Sequence, residues 1–377
     1  MKITVLYNRD YDHQDPQGDP GYAARAEIEG VAEAVAAALR KHGAEAQPLP
    51  VFGHAFRFVS RLADDPPDLV FNLCESLAGD ARGELAVPAI LDTLGLPYTG
   101  SPAVALALAL HKHKAREMLR AAGVPVPAGT VVRRLADLEA LDLPFPLMVK
   151  PAREDASVGI SRHSVVRDAG ELFRQVAFVL ETHRQEVVVE RYIEGREIYA
   201  ALLGNDPPDL LPLTEIDFSR MPGDRPRIVT YEAKWESDSV EWAGTTPKLV
   251  ELEDPGVRAR VEQVARAAFH ALELRDYGRI DLRLDAAGTP WVIDVNANCA
   301  LAPDAGFARA AAAAGLPYDD MIGRIAEIAR TRMHADPHWQ GERPAPTRRV
   351  AQPHRELHAR GSRVRRGAPR AGRRRRT

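Results

Sequence analysis

Apolar and polar positions alternate most strictly between Arg279 and Asn298, RIDLRLDAAGTPWVIDVNAN. Ile280, Leu282 and Leu284 fall on one side of an extended chain, and Arg279, Asp281 and Arg283 on the other. Asp294 and Asn296, two apart, share a side as well. With Asp285-Ala286-Ala287-Gly288 as the connection, the stretch predicts a β-hairpin. Pairing of its strands would gather Asp281, Asp294 and Asn296 as oxygen donors. A hard divalent cation such as Mg²⁺ takes such donors, with phosphate oxygens completing its shell. A solvated, charged sheet face gives the same pattern and binds nothing.

Upstream, an apolar strand over 2–8 precedes a polar loop (Asp10 to Gly21) and a helix from Ala23 to His42. Strands near 46–50 and 68–72 follow, then the loop Leu73–Gly83 and a helix through Leu94. This β–α–β rhythm predicts a small open parallel sheet with functional loops at the carboxyl ends of its strands. Gly95-Leu-Pro-Tyr-Thr-Gly-Ser101 is turn-rich and marks a boundary. One helix is expected over 102–122, closed by Gly123-Val-Pro-Val-Pro127. Strands at 129–133, 147–150, 160–165, 186–192 and 198–203 are interleaved with a short helix near 135–140 and a longer one over 168–183. Beyond 204 the pattern gives strands, a helix over 255–273, the hairpin and a helix over 317–333.

Of the 377 residues, 45% are hydrophobic and 27% charged, enough for a proper core. The start, MKITVLYNRD, lacks the apolar core of a signal peptide, and no apolar run approaches membrane-spanning length. Two cysteines, Cys74 and Cys299, are too few for a disulfide framework or a Cys-rich zinc site. A cytoplasmic protein is expected. The net charge of −3 hides an asymmetry: residues 342–377 hold 13 Arg and 2 Glu, a net +11, so residues 1–341 carry −14. The tail reads as disordered, able to hold nucleic acid only non-specifically by charge and without an aromatic residue for base stacking.

Three further stretches carry candidate chemistry. Lys150 ends an apolar strand and faces a small-residue loop with Ser157 and Gly159, where phosphate oxygens can meet an ammonium and backbone N–H groups; a solvated lysine is the alternative. Glu190-Arg191-Tyr192-Ile193-Glu194-Gly195-Arg196-Glu197 runs from strand to turn. Its backbone can read an adenine edge and Glu197 can accept ribose hydroxyls, or it is an exposed charged hairpin. Tyr231-Glu-Ala-Lys-Trp235 suits a lid over phosphates as well as an ordinary loop.

In order and spacing, Lys112, Lys150-Pro151, Ser157-Val-Gly159, Glu190, Gly195-Arg-Glu197, Tyr231-Glu-Ala-Lys234, Arg279-Ile-Asp281 and Asp294-Val-Asn296 resemble the ATP-grasp superfamily, and within it D-alanine–D-alanine ligase, over residues 1–333. The resemblance implies an α/β and α+β architecture, an ATP-grasp fold behind an N-terminal open parallel, Rossmann-like sheet. Its domains would be 1–101, a central lobe 102–203, a C-terminal lobe 204–335 with the metal site, and the basic tail 336–377. It also implies roles. Lys112 and Lys150 would contact phosphates and nucleotide, and Ser157 with the 153–159 backbone would cover the β/γ-phosphates. Glu190 with the backbone of Arg191 and Ile193 would line the adenine slot, and Glu197 would bind ribose. Lys234 would reach the γ-phosphate and Arg279 would stabilise an oxyanion. Asp281, Asp294 and Asn296 would hold two Mg²⁺, or Mn²⁺, with Asp294 standing where the family usually has Glu. The implied reaction joins a small-molecule carboxylate to an amine through an acyl phosphate, in a protein usually dimeric. A non-catalytic ATP-binding module with a basic tail is the rival of another class.

Departures from the family cluster around the substrates. Gly-Ser-Ser-Val-Gly becomes Asp155-Ala156-Ser157-Val158-Gly159, and the lid tyrosine becomes Trp235. Glu27 or Glu29 would have to replace the first-domain glutamate that holds the substrate ammonium. The His-Gly loop is replaced by Cys74-Glu75, and Asn-Thr-x-Pro-Gly by Asn296-Ala-Asn-Cys-Ala300. The later Ser-Leu pair aligns near Ala305-Gly306, leaving Asn298 and Asp304 as unranked substitutes for its serine. An altered substrate is the favoured expectation, a cell-wall D-alanine–D-alanine ligase the alternative.

Overall fold

The computed structural model describes residues 1–9, 22–52 and 56–335, so the loop expected over 10–21 and the basic tail lie outside the described residues. The chain opens on β1 (Lys2–Asn8), whose Ile3, Val5 and Tyr7 enter one apolar cluster while Leu6 enters another. A strand buried on both faces needs cover on both, the usual condition of a parallel sheet. α1 (Tyr22–Lys41) leads to β2 (Glu45–Val51), and α2 (Phe56–Asp64) to β3 (Leu69–Asn72). The three strands form a parallel sheet in the order β2-β1-β3. α3 (Ala86–Thr93) joins α2 over the Leu6 face through Val87, Leu91, Phe58 and Leu62.

Past the turn at 95–101, α4 (Ala103–Leu110) and α5 (Lys112–Ala121) replace the single helix expected over 102–122. His111 takes ψ 78°, which frees the Lys112 N–H to bond Ala152 O at 3.1 Å. The run of Ala, Leu and Lys around it favours helix throughout and gives no sign of the break. β4 (Gly129–Val132), β5 (Leu147–Pro151), β6 (Val165–Val166) and β7 (Val187–Arg191) form an antiparallel sheet in the order β4-β7-β5-β6. Its apolar face is covered by α6 (Ala169–Thr182) through Leu172, Val176 and Val179. The strand expected over 160–165 is mostly a 3-10 turn, Arg162–Ser164, because Ser161 and Ser164 cap it reciprocally.

The third lobe is a six-stranded sheet of β8 (Arg196–Leu203), β9 (Asp209–Leu210), β10 (Thr214–Asp217), β11 (Thr246–Leu249), β12 (Tyr277–Leu284) and β13 (Pro290–Asn296). Its main path runs β11-β10-β8-β12-β13. β8 lies before the division expected at 203 yet pairs along its whole length with β12. Two short helices, α7 (Tyr231–Trp235) and α8 (Val240–Ala243), stand where only a lid loop is expected. The hairpin forms as its alternation requires. Ile280, Leu282 and Leu284 pack with Ile198 and Leu202 against Val261 and Phe269 of α9 (Pro255–Ala271), each such side chain contributing about 2 kcal/mol. Gly195 before β8 has φ +145°, and a Cβ there would sit 2.0 Å from Leu284 O, so only glycine lets this turn meet the hairpin.

α10 (Gly306–Ala313), which the alternation did not reveal, and α11 (Tyr318–Ala335) return to the first domain. Phe307, Met321 and Ile325 cover the Ile3–Val5 face of the parallel sheet together with α1. A buried carboxylate fixes this return. Asp276, fully buried at φ +65°, takes Arg332 Nε at 2.9 Å and Nη2 at 3.0 Å, Gly100 N at 3.0 Å and Asn205 Nδ2 at 3.2 Å. Removing one partner of such a pair strands the other charge. Asp276→Ala is therefore expected to lower unfolding free energy by about 3 kcal/mol, measured by urea denaturation; an unchanged midpoint would refute this anchor.

Candidate active site

One cleft, walled by the two antiparallel sheets, is lined by all twelve residues to which the resemblance gives a nucleotide, metal or oxyanion role: Lys112, Lys150, Ser157, Glu190, Arg191, Ile193, Glu197, Lys234, Arg279, Asp281, Asp294 and Asn296. They come from α5, β5, the 153–159 loop, β7, the turn into β8, α7 and the hairpin.

At one end lies a buried ionic cluster. Glu190 Oε1 is 2.7 Å from Lys150 Nζ and Oε2 is 2.5 Å from Arg116 Nη1, with Arg116 also donating to Pro127 O. Lys150 Nζ donates to Ile293 O at 3.0 Å as well. That carbonyl is available because the β12–β13 register slips between Asp281 and Leu282: Asp281 faces Asp294, Leu282 faces Val292, and Ile293 is the extra residue of a bulge. An ammonium has three donors. Two are spent here, and one remains for a ligand.

Arg283 organises the neighbouring wall. Its guanidinium donates to Ile193 O (2.9 Å), Glu197 Oε2 (3.1 Å), Arg227 O (2.9 Å) and Tyr192 Oη (3.1 Å). Tyr199 donates to Glu197 Oε1 at 3.0 Å. Burial pushes Glu197 upward in pKa while Arg283 opposes it. Each Glu197 oxygen keeps a lone pair for further hydroxyl donors. Neither Arg116 nor Arg283 stood out in the sequence; the alternation placed Arg283 on the polar face and could not show that this face is buried.

Lys112 Nζ meets Asp155 Oδ1 at 3.1 Å and Asp294 Oδ1 at 3.3 Å, leaving its third N–H toward the cleft. Burial disfavours the Lys112 charge, but Asp294 and Asp155 outweigh it and raise its pKa. Burial likewise works against the Asp294 carboxylate; Lys112, then Lys150, overcome this and keep it below its usual range. Lys234, on α7, is pushed down by burial and by Arg279. Ala156 and Ser157 both adopt left-handed backbone, φ 53° and 62°, a conformation that costs non-glycine residues about 1 kcal/mol or more each. Ser157 Oγ donates to Val229 O at 3.0 Å and Trp235 Nε1 to Ala156 O at 3.2 Å. The indole that stands in place of the family's lid tyrosine thus ties lid to loop through a backbone carbonyl.

Arg279 holds Asp281 in a fork, Nε–Oδ1 2.7 Å and Nη2–Oδ2 2.9 Å, and lies over the Tyr199 ring at 4.6 Å. Asn296 Nδ2 donates to Asp281 Oδ2 at 3.1 Å. Asp281 opposite Asp294, with the Asn296 carboxamide two pairs along, is an all-oxygen set suited to a hard divalent cation. Among the described residues no three His, Cys, Asp or Glu side chains converge on a metal position. Any cation here must draw the rest of its shell from a ligand.

Beyond the hairpin, Asn298 accepts from Tyr277 Oη at 2.9 Å and donates to Cys74 O and Glu84 Oε1. Cys299 is packed in the core rather than against the cleft. Ala305 begins α10 without a side-chain cap, and Asp304 is exposed. Of the glutamates expected to hold an ammonium, Glu29 is engaged by Tyr7 at 3.3 Å. Glu75 was noticed only as a departure. It is exposed yet hemmed in by protein and is not among the residues lining the cleft; desolvation, with Asp155 and Glu27, outweighs Lys234 and pushes it up to about 7.

Arg283→Lys keeps the charge and loses the fan of four contacts. It is expected to weaken binding of a non-hydrolysable ATP analogue by about tenfold or more, read by calorimetry; unchanged affinity would remove Arg283 from the cleft's architecture.

Residues 118–327 match the family model described as D-ala D-ala ligase C-terminus. The uncharacterized protein y4sG of Sinorhizobium fredii is 34% identical over 274 residues, 71% of this chain and 78% of that protein. The D-alanine–D-alanine ligase of Chromohalobacter salexigens is 31% identical over 296 residues, 78% of this chain and 86% of that enzyme. The fold matches the D-alanine–D-alanine ligase of Bacillus anthracis complexed with ATP, with TM-score 0.69 at 23% identity over 89% of this chain and 100% of that one. VanG D-Ala:D-Ser ligase of Enterococcus faecalis gives 0.64 at 19% identity over 87% and 99%. The model spans more than half of this sequence, and the chain belongs to the D-alanine–D-alanine ligase family as an ATP-grasp ligase.

Proposed function

We propose that this ligase joins a carboxylate to an amine at the expense of ATP, through an acyl phosphate, and that its substrates differ from a pair of D-alanines. One observation carries the reading: every nucleotide-end residue implied by the resemblance lines one cleft. The altered substrate is supported by the family positions that differ, most of which the resemblance assigns to the substrates.

ATP sits with its base along Glu190 and the backbone of Arg191 and Ile193, its ribose on Glu197, and its phosphates on the free N–H groups of Lys112 and Lys150. Ser157 and the backbone amides of its loop cover the β/γ-phosphates, and Lys234 reaches the γ-phosphate. Asp281, Asp294 and Asn296 would hold two Mg²⁺, or Mn²⁺, which would supply positive charge against the phosphates. The substrate carboxylate attacks the γ-phosphorus and ADP leaves; the amine attacks the acyl carbon and phosphate leaves. Arg279, fixed by Asp281, donates to the oxyanion, a contribution of about 3 kcal/mol for one such donor. Glu75 takes the ammonium of an amino-acid substrate. The relatives named D-alanine–D-alanine ligase support a second reading, the D-alanine dipeptide itself.

ATP-dependent phosphate release with D-alanine, and separately with a panel of L- and D-amino acids and amines, is read by mass of product. The expected result is an amide mass with a pair other than two D-alanines. A D-alanine dipeptide alone would select the second reading, and no product from any pair would favour a non-catalytic nucleotide module. Asp294→Ala should abolish turnover in a protein that remains folded by circular dichroism; full activity would sink the metal assignment.

Glu75 is neutral below its value of about 7 and ionised above it, so its attraction for an ammonium grows as pH rises. The KM of an amino-acid substrate should fall between about pH 6 and about pH 8, and Glu75→Gln should raise it about tenfold and flatten the trend. A pH trend that persists in Glu75→Gln would exclude Glu75.

A further inference from the structure

We propose that the chain holds a second ligand site, for a small multivalent oxyanion, separate from the nucleotide cleft. A cavity of about 650 Å³, open to solvent on one side, lies between Arg162–Val165, α6 and Asp224–Pro226. It shares no lining residue with the cleft.

Its rim is cationic although the body of the chain is acidic. Arg162, Arg167 and Arg174 line it, all exposed, and none has an ion-pair partner among the described residues. A fourth guanidinium, Arg225, is held by Glu241 at 3.0 Å. Two carboxylates and a histidine also line it: Glu171 Oε2 accepts from Arg167 N at 2.7 Å, Asp224 pairs with Arg225 Nε at 3.9 Å, and Arg162 Nε donates to His163 Nε2 at 3.1 Å. Three unpaired guanidiniums on one rim repel one another until an anion joins them. Their planar forks match carboxylate or phosphate oxygens.

The second observation is buried in the wall. Gln175, 7% exposed, lines the cavity, and its carboxamide Nε2 has no hydrogen-bond partner. Buried amide donors are rarely left unmatched in a native protein, and an unmatched one calls for a ligand oxygen or a water. The three guanidiniums without an ion-pair partner and the buried Gln175 N–H are donors, so a component that matches them carries acceptors. Phe178 and Pro226 give the cavity apolar walls. A ligand that engages both the rim and Gln175 must enter the cavity, which suits a small anion better than a polymer backbone. The far side, Asp224–Pro226, runs directly into Arg227 and Val229, whose carbonyls hold Arg283 and Ser157 beside the nucleotide. An occupant therefore steadies a segment that borders the cleft, and its binding is coupled to that of ATP.

The test uses the full chain loaded with a non-hydrolysable ATP analogue and excess Mg²⁺, titrated with pyrophosphate and with tricarballylate by calorimetry. One probe is expected to bind with one-to-one stoichiometry, and which of them binds separates phosphate from carboxylate chemistry. The double variant Arg167→Gln/Arg174→Gln should weaken it by about tenfold or more, and Gln175→Leu should weaken it without lowering the melting temperature. Arg330→Gln, an exposed arginine of α11 outside both cavities, should leave it unchanged. A saturating probe should shift the analogue's dissociation constant by about threefold or more; no shift would overturn the coupling. Absence of saturation with both probes, or equal affinity in the arginine and glutamine variants, would overturn the site. So would Arg167/Arg174-dependent binding of a single-stranded RNA dodecamer when both probes fail.

Discussion

The cleft depends on a buried carboxylate between two cations. Glu190 neutralises Lys150 and Arg116 where little water can do so. Those three residues come from β7, β5 and α5, and Lys150 extends the tie to β13 through Ile293 O. Isolated, any one of these charges would cost several kcal/mol to bury. Together they lock both antiparallel sheets around one space. The arrangement resembles a keystone more than a set of independent contacts, because withdrawing the central carboxylate leaves two like charges facing each other.

The same logic recurs at the phosphate end with signs reversed. Lys112 is held between Asp155 and Asp294, and Arg279 forks onto Asp281. Each cation is thereby aimed and kept charged, yet each buried ammonium retains a donor. The lid uses a different device. Trp235 has one N–H and no acceptor, and it finds the carbonyl of Ala156, a residue whose left-handed backbone turns that carbonyl outward.

The hairpin was legible because strict alternation survives when one face is apolar and the other polar. The parallel sheet was legible because short apolar strands alternate with helices. The twelve cleft residues were found by their order and spacing against a known family, since no local period marks a lysine as ligand-facing. What stayed hidden has physical causes. The break at His111 depends on an acceptor at Ala152, forty residues away in sequence. Helix α10 is short and Ala-rich, with no polar cap to announce it. Arg283 looked like a solvated side chain because alternation reports which side a residue is on and says nothing of what stacks above that side. Glu75 gained its interest from Asp155 and Glu27, which no sequence pattern brings near.

The bulge at Ile293 makes the hairpin a counting device. From Leu284 back to Leu282 the strands pair in one phase, and from Asp281 onward in another. One residue removed between Val292 and Asp294 would restore a regular ladder with Asp294 still opposite Asp281, and would withdraw the Ile293 carbonyl from Lys150. One residue added there would put the strands out of phase and turn the side chains beyond it to the other face. After Ala297 no strand phase has to be kept. Anyone reshaping this ligase for a new acceptor can therefore vary loop length from that point onward, and should hold the preceding twenty positions to a fixed count.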